Sequence, residues 1–152
     1  MDLNKDRVII LELVPTSISP DNGEIVQLSA LKLNGMKLED RFDYRLNEDK
    51  IPYKSFLDLF SYDKESFRYM DSTKEILDDF INWIEDVPLL IIDNSYTRNY
   101  LSSINNKKES IFDYLNIDNN DDVIDRLISK YHIEATNYVV DILYESLMQE
   151  IL

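Results

Sequence analysis

Thirty carboxylates, sixteen basic side chains, one histidine and no cysteine set the chemistry open to this chain. Without cysteine there are no disulfides, thiolate zinc sites or cysteine nucleophiles. His132 alone cannot build a multi-histidine metal centre, and it reads as a surface or satisfied core residue rather than a general base. What remains is carboxylate chemistry. Glu12 interrupts the apolar run Val8–Val14, where an acid needs either a cation or a task. Asp93 follows the apolar run Leu89–Ile92, and Asp141 lies between Val140 and Ile142. Asp118-Asn119-Asn120-Asp121-Asp122 has calcium-friendly oxygens but lacks the glycine and terminal glutamate of an EF-hand loop. A solvated helix entry explains that segment better.

The chain of 152 residues has the size of one domain, residues 1–152, and its 44% hydrophobic content excludes a disordered polymer. Its net charge is −14, and the excess is uneven. Residues 1–75 hold eleven basic and fifteen acidic side chains, whereas residues 76–152 hold five and fifteen. A grip on phosphate backbones or anionic membranes needs a basic face, so tight nucleic-acid binding is not expected. The start Met-Asp-Leu-Asn-Lys-Asp lacks the basic region of a signal peptide, and no apolar run spans a bilayer. A cytoplasmic protein with no membrane contact is expected.

The elements that must position these acids are legible from periodicity. Val8–Leu13 and Ile25–Leu33 are rich in β-formers and are separated by Ser19-Pro20-Asp21-Asn22-Gly23. Asn34-Gly35 then precedes Met36–Leu46 and marks a tight hairpin, predicting a three-stranded antiparallel meander. Gln27-Leu28-Ser29-Ala30-Leu31 has the look of a sliding-clamp-binding peptide, but its place in the second strand makes it core. Ser72-Thr73-Lys74-Glu75 has the form of a capping box, and Ile76, Leu77, Phe80, Ile81 and Ile84 follow at helical spacing. Leu89–Ile92 suits a strand buried on both faces in a parallel sheet. Asp93-Asn94-Ser95 caps a short helix through Leu101, with Asp93 read as the N-cap rather than a ligand. Ile111–Ile117 reads as a further strand and Asp121–Tyr131 as a helix. Val139, Val140, Leu143, Leu147 and Ile151 line a closing amphipathic helix. The fold class is α/β: a mixed five-stranded sheet, the meander plus parallel strands, with flanking helices.

This order resembles the DnaQ-like proofreading 3'-5' exonucleases, whose fold is ribonuclease H-like. Val8-Ile-Ile-Leu-Glu-Leu-Val-Pro followed by Gly23-Glu-Ile-Val-Gln-Leu-Ser-Ala is similar to the family's first two strands, with their D-x-E and E-I-h-Q motifs, h being apolar. Asp40–Leu46 with Ile51-Pro52 resembles the third strand and the I-P after it. Leu89-Leu-Ile-Ile-Asp-Asn-Ser-Tyr-Thr-Arg-Asn-Tyr-Leu resembles the later segment that brings a third acid. In the family, two acids on one strand face join two later ones to hold two divalent ions. The resemblance implies that Glu12 falls at the first acid, Val14 at the second and Arg98 at the third. The fourth motif, H-x-x-x-x-D, admits two registers. Thr136 with Asp141 is one, and His132 with Asn137 is the other. The first is preferred, because Tyr131-His132-Ile133 resembles the family's loop before the motif.

In either register at most two of the four acids remain, and Arg98 repels a metal ion. A unit charge about 4 Å away is worth about 4 kcal/mol at an effective dielectric of about 20. The arginine is expected to attract Glu12 instead, with Asp141 as a second candidate, and Glu12 is read as one partner of a buried ion pair. The leading expectation is therefore an inactive exonuclease-fold protein that binds another protein, one with a basic surface, and needs no cofactor. Two alternatives stay open. One is an atypical exonuclease using Mg or Mn at Glu12 and Asp141, helped by Asp93. The other is an acidic mimic of nucleic acid.

Overall fold

The computed structural model describes residues 1–51, 67–134 and 138–151. Three long strands come first, β1 (Arg7–Pro15), β2 (Ile25–Asn34) and β3 (Lys37–Leu46), forming the antiparallel meander expected from their β-branched and aromatic content. The β2–β3 turn is shifted by one residue from the Asn34-Gly35 expectation. Asn34 still pairs with Lys37, and the two left-handed residues are Gly35 (φ +55°) and Met36 (φ +70°). Both positions of a type I′ connection need positive φ. At Gly35 an added Cβ would lie 3.0 Å from the Asn4 carbonyl oxygen, so glycine fits there. Met36 tolerates the conformation because its side chain is buried and its carbonyl accepts a 2.8 Å hydrogen bond from the Tyr144 hydroxyl.

Further along come β4 (Arg68–Met70), α1 (Thr73–Ile84), β5 (Leu89–Ile91) and α2 (Ser95–Tyr100). They are followed by β6 (Lys108–Ser110), α3 (Ile111–Leu115), α4 (Val123–Tyr131) and α5 (Val139–Ile151). Among the described residues the sheet has six strands in the order β4-β3-β2-β1-β5-β6, one more than expected. Pairs β1–β5, β3–β4 and β5–β6 are parallel. The expected strand Ile111–Ile117 is instead the helix α3. Its start is capped by Ser110, whose hydroxyl accepts from the Phe112 amide, and the strand pairing falls on the preceding Lys108–Ser110. No helix among the described residues is long and apolar enough to cross a membrane.

Apolar side chains fill both faces of the sheet. On one face Ile9, Leu11, Leu28 and Phe42 pack against Ile76, Phe80 and Ile84 of α1. On the other, Val8, Ile10, Leu31 and Leu33 pack against α3, α4 and α5. β5 is buried on both faces, as a continuous Leu89-Leu90-Ile91 run requires. Gln27–Leu31 is buried too, so the clamp-like segment is core. Ser72 caps α1, accepting from the Glu75 amide at 3.1 Å, while Glu75 reaches back to the Asp71 amide. The outer face of α1 keeps Ile81, which is 41% exposed.

Two substitutions separate the contributions of core and cap. Phe80 is fully buried and meets the Phe42 ring edge-on at 5.2 Å, so Phe80→Ala is expected to cost about 3–5 kcal/mol. Ser72→Ala loses only the cap, about 1 kcal/mol. Urea unfolding of both variants checks the ranking; equal losses would contradict it.

Candidate functional site

β1 outruns its parallel neighbour. Its pairing with β5 covers Ile9, Ile10 and Leu11, and Glu12 is the next residue. Alternation puts Glu12 on the same face as Val8 and Ile10, beneath the α3–α5 layer. A cleft of about 420 Å³ opens there, beside Glu12 of β1 and beyond the carboxyl end of β5. Ligands of open α/β sheets commonly bind in that position. Glu12 lies at one side of it, and Asn94 and Tyr96 come from the start of α2. The loop before α4 supplies Asn119, Asn120 and Asp121, and Ile92, Val123, Ile124 and Val139 complete the walls with aliphatic surface.

Glu12 is half-buried and pairs across the strands with Ser29. The expected ion pair is not formed: among the described residues, no cation or hydrogen-bond donor meets the Glu12 carboxylate. Burial pushes its carboxyl up from the ordinary 4.5 to about 7.

Arg98 turns to Asp93 rather than to Glu12 or Asp141. Its Nε and Nη2 donate to the two Asp93 carboxylate oxygens at 2.5 and 2.9 Å. These bonds hold the Asp93 carboxyl below its usual range. The cap of α2 is therefore Asn94, whose side-chain oxygen accepts from the Thr97 amide at 2.8 Å, and not Asp93. Asn119 ties the neighbouring loop to this start, its amide donating to the Asp93 carbonyl at 3.1 Å.

Asp141 is held elsewhere. Arg41 on β3 donates to both of its carboxylate oxygens, at 2.7 and 3.2 Å, and also to Asp43 at 3.0 Å. Arg41 and Asp43 share one strand face, a period-two spacing of opposite charges visible in Asp40-Arg41-Phe42-Asp43. Val14 pairs with Gln27 just before a bulge and lies outside the cleft lining. His132 closes α4 in a left-handed conformation, is exposed, and lies outside the cleft lining. Pro52, Thr136 and Asn137, which also received motif positions, lie outside the described residues.

The structure thus brings Glu12 to a cleft and leaves Arg98, Val14 and Asp141 out of its lining. The Asp118–Asp122 segment is the solvated helix entry expected, exposed and leading into α4, and its Asn119, Asn120 and Asp121 also supply one wall of the cleft. A two-ion centre needs several carboxylates converging on one point. Among the described residues no group of three or more His, Asp or Glu side chains is placed to hold a metal ion. That donor set does not fit the centre implied by the resemblance.

The half-buried, unpaired carboxyl of Glu12 has a measurable signature. Its native-state value lies above the unfolded one, so the folded chain binds more protons between about pH 4.5 and 7. The associated stability is fully present below about 4.5 and is lost as pH rises through about 7. Glu12→Gln is therefore expected to be more stable than the parent near pH 8, by at most about 3 kcal/mol, and to lose that advantage near pH 4. Paired urea titrations check this; an advantage that does not change with pH refutes a buried, uncompensated carboxyl.

No protein-family model matches the sequence, and no curated protein matches it. Solved structures do. A product-bound structure of exonuclease I superposes with a TM-score of 0.58 at 13% identity, over 97% of this chain and 43% of that one. A structure of SSB and exonuclease I in complex with the inhibitor CFAM gives 0.54 at 13% identity, over 97% and 41%. The chain spans less than half the length of either protein. At this identity the likeness concerns architecture: the mixed sheet and its flanking helices are a ribonuclease H-like exonuclease fold.

Proposed function

We propose that this chain is a catalytically inactive exonuclease-fold module that binds another protein. One observation carries the reading. The acids that would gather around metal are each replaced or neutralised: Val14 is apolar, position 98 is an arginine clasping Asp93, and Arg41 clasps Asp141. Glu12 is left without the partners that two-metal hydrolysis needs. The exonuclease activity of the structural neighbours does not follow from a shared fold. A net charge of −14, concentrated in residues 76–152, favours a basic protein surface as partner over nucleic acid.

Hydrolysis decides the first half of the reading. Incubated with labelled single-stranded DNA and Mg or Mn, the chain is expected to release no nucleotides, and calorimetry with either ion is expected to show no binding heat. Metal-dependent release that disappears in Glu12→Gln would overturn it. Steering by charge decides the second half. Association with the protein partner is expected to weaken as salt shortens the screening length, about 8 Å at physiological strength. Association indifferent to salt would remove the electrostatic basis.

A further inference from the structure

The cleft over Glu12 has a composition that selects among ligands. Its lining contains two carboxylates, three asparagines, one tyrosine and four aliphatic side chains, with no lysine, arginine or histidine. An anion would meet Glu12 and Asp121 with no cation to hold it. A compact hydrated cation would have to exchange its water for a wall of isoleucine and valine, with two carboxylates rather than a converging set. A purely apolar group would cover Glu12 and raise the cost of ionising it further.

An aliphatic stem ending in an ammonium matches every part. Such a side chain lays its methylenes on apolar surface and keeps its charged head on polar groups. The ammonium presents three donors and no acceptor, which suits a site of carboxylate and amide oxygens. The polar groups here are not all consumed internally. Asn94 spends its oxygen on the Thr97 amide and Asn119 spends its nitrogen on the Asp93 carbonyl. The Asn119 carbonyl oxygen and the Glu12 carboxylate have no such bond among the described residues. A volume of about 420 Å³ lies within the usual range of roughly 300–1,000 Å³ for ligand sites.

We propose that this cleft is a docking pocket for a lysine side chain of a partner protein, its ammonium on Glu12 and Asp121 and its stem against Ile92, Ile124 and Val139. The proposal rests on the reading of the chain as a protein-binding module and names the pocket through which it binds. A cation brought to Glu12 supplies the charge that the fold withholds, so binding favours the ionised carboxyl. The other titratable groups nearby are Asp121 and Tyr96 on the cleft wall and Asp43 in the same cross-strand row, at Ser29's other side. Asp43 shares Arg41 with Asp141, and at the start of α2 Asp93 is paired with Arg98.

The test uses the full chain and three probes: Nα-acetyl-lysine methylamide, its norleucine counterpart of similar shape without charge, and spermidine. Carbon-detected NMR follows the Glu12 carboxyl, and methyl spectra follow Ile92, Ile124 and Val139. The lysine probe is expected to shift those methyls saturably and to lower the Glu12 titration midpoint, by about one unit for each tenfold preference for the ionised form. Norleucine is expected to do neither. Glu12→Gln, which preserves shape, is expected to weaken the lysine probe about tenfold or more while the methyl spectrum stays folded. Equal binding of norleucine, no saturable shift with lysine, or undiminished binding by Glu12→Gln would each overturn the pocket. Spermidine binding the cleft while the lysine probe does not would assign it to a free polyamine and refute a protein side chain. Failure of the probes leaves the inactive reading standing, because hydrolysis tests that separately; Glu12-dependent hydrolysis would refute that reading whatever the probes do.

Discussion

β1 is constrained on all four sides, and the rest of the chain is arranged around that. β2 and β5 take its two backbone edges, and helices cover both of its side-chain faces. Val8, Ile9, Ile10 and Leu11 are fully buried as a result. A carboxylate in the middle of such a strand would lose its hydration without compensation, at a cost of several kcal/mol. Glu12 is tolerated because it stands one residue past the last parallel pair, where β5 has ended and the chain turns away into α2. The same geometry that removes the backbone neighbour creates the cleft, so cleft and half-buried acid have a single cause.

The arginines near this end of the sheet settle where the remaining acids point. Arg98 and Asp93 lie on one loop and the helix it begins, five residues apart, so their pairing orders little chain. Reaching across to Glu12 would leave Asp93 without its partner. Arg41 does the opposite kind of work: it joins β3 to α5 across 100 residues of sequence and carries Asp43 with it. Arg41 and Arg98 are both partly exposed, so each pair contributes little to stability, typically about 0–1 kcal/mol. Their larger consequence is that both arginines are engaged by acids other than Glu12.

Much of the architecture was legible because long elements repeat their signals. The meander, the Ser72 cap and the doubly buried β5 followed from periodicity and turn chemistry. The shorter pieces did not. Ile111-Phe-Asp-Tyr-Leu spans little more than one helical turn, too few residues for the period to tell helix from strand. β4 and β6 have three residues each and include charged side chains, so neither alternates visibly. The hairpin turn sits one residue beyond its Asn-Gly signal, where Met36 is buried and its carbonyl accepts from Tyr144 at the far end of the chain, a long-range contact no local motif displays. At the site, motif alignment put Glu12 at the first acid position of β1, but local competition between neighbouring charges decided its company. That competition is invisible until the Asp93–Arg98 and Arg41–Asp141 pairs are seen together.

The acidity of the chain and the isolation of Glu12 are connected. With thirty acids and sixteen bases, cations are the scarce species, and those at this end of the sheet are claimed by acids that are easier to reach. A carboxylate left over in a half-buried position without a cation raises its own proton affinity, and the native chain gives up stability to ionise it near neutral pH. Any external cation that fits the cleft recovers part of that free energy. Binding and ionisation are then linked: whatever lowers the Glu12 proton affinity must bind the ionised chain more tightly, by the same factor. A neutral side chain at position 12 would make a more stable protein and forfeit that coupling.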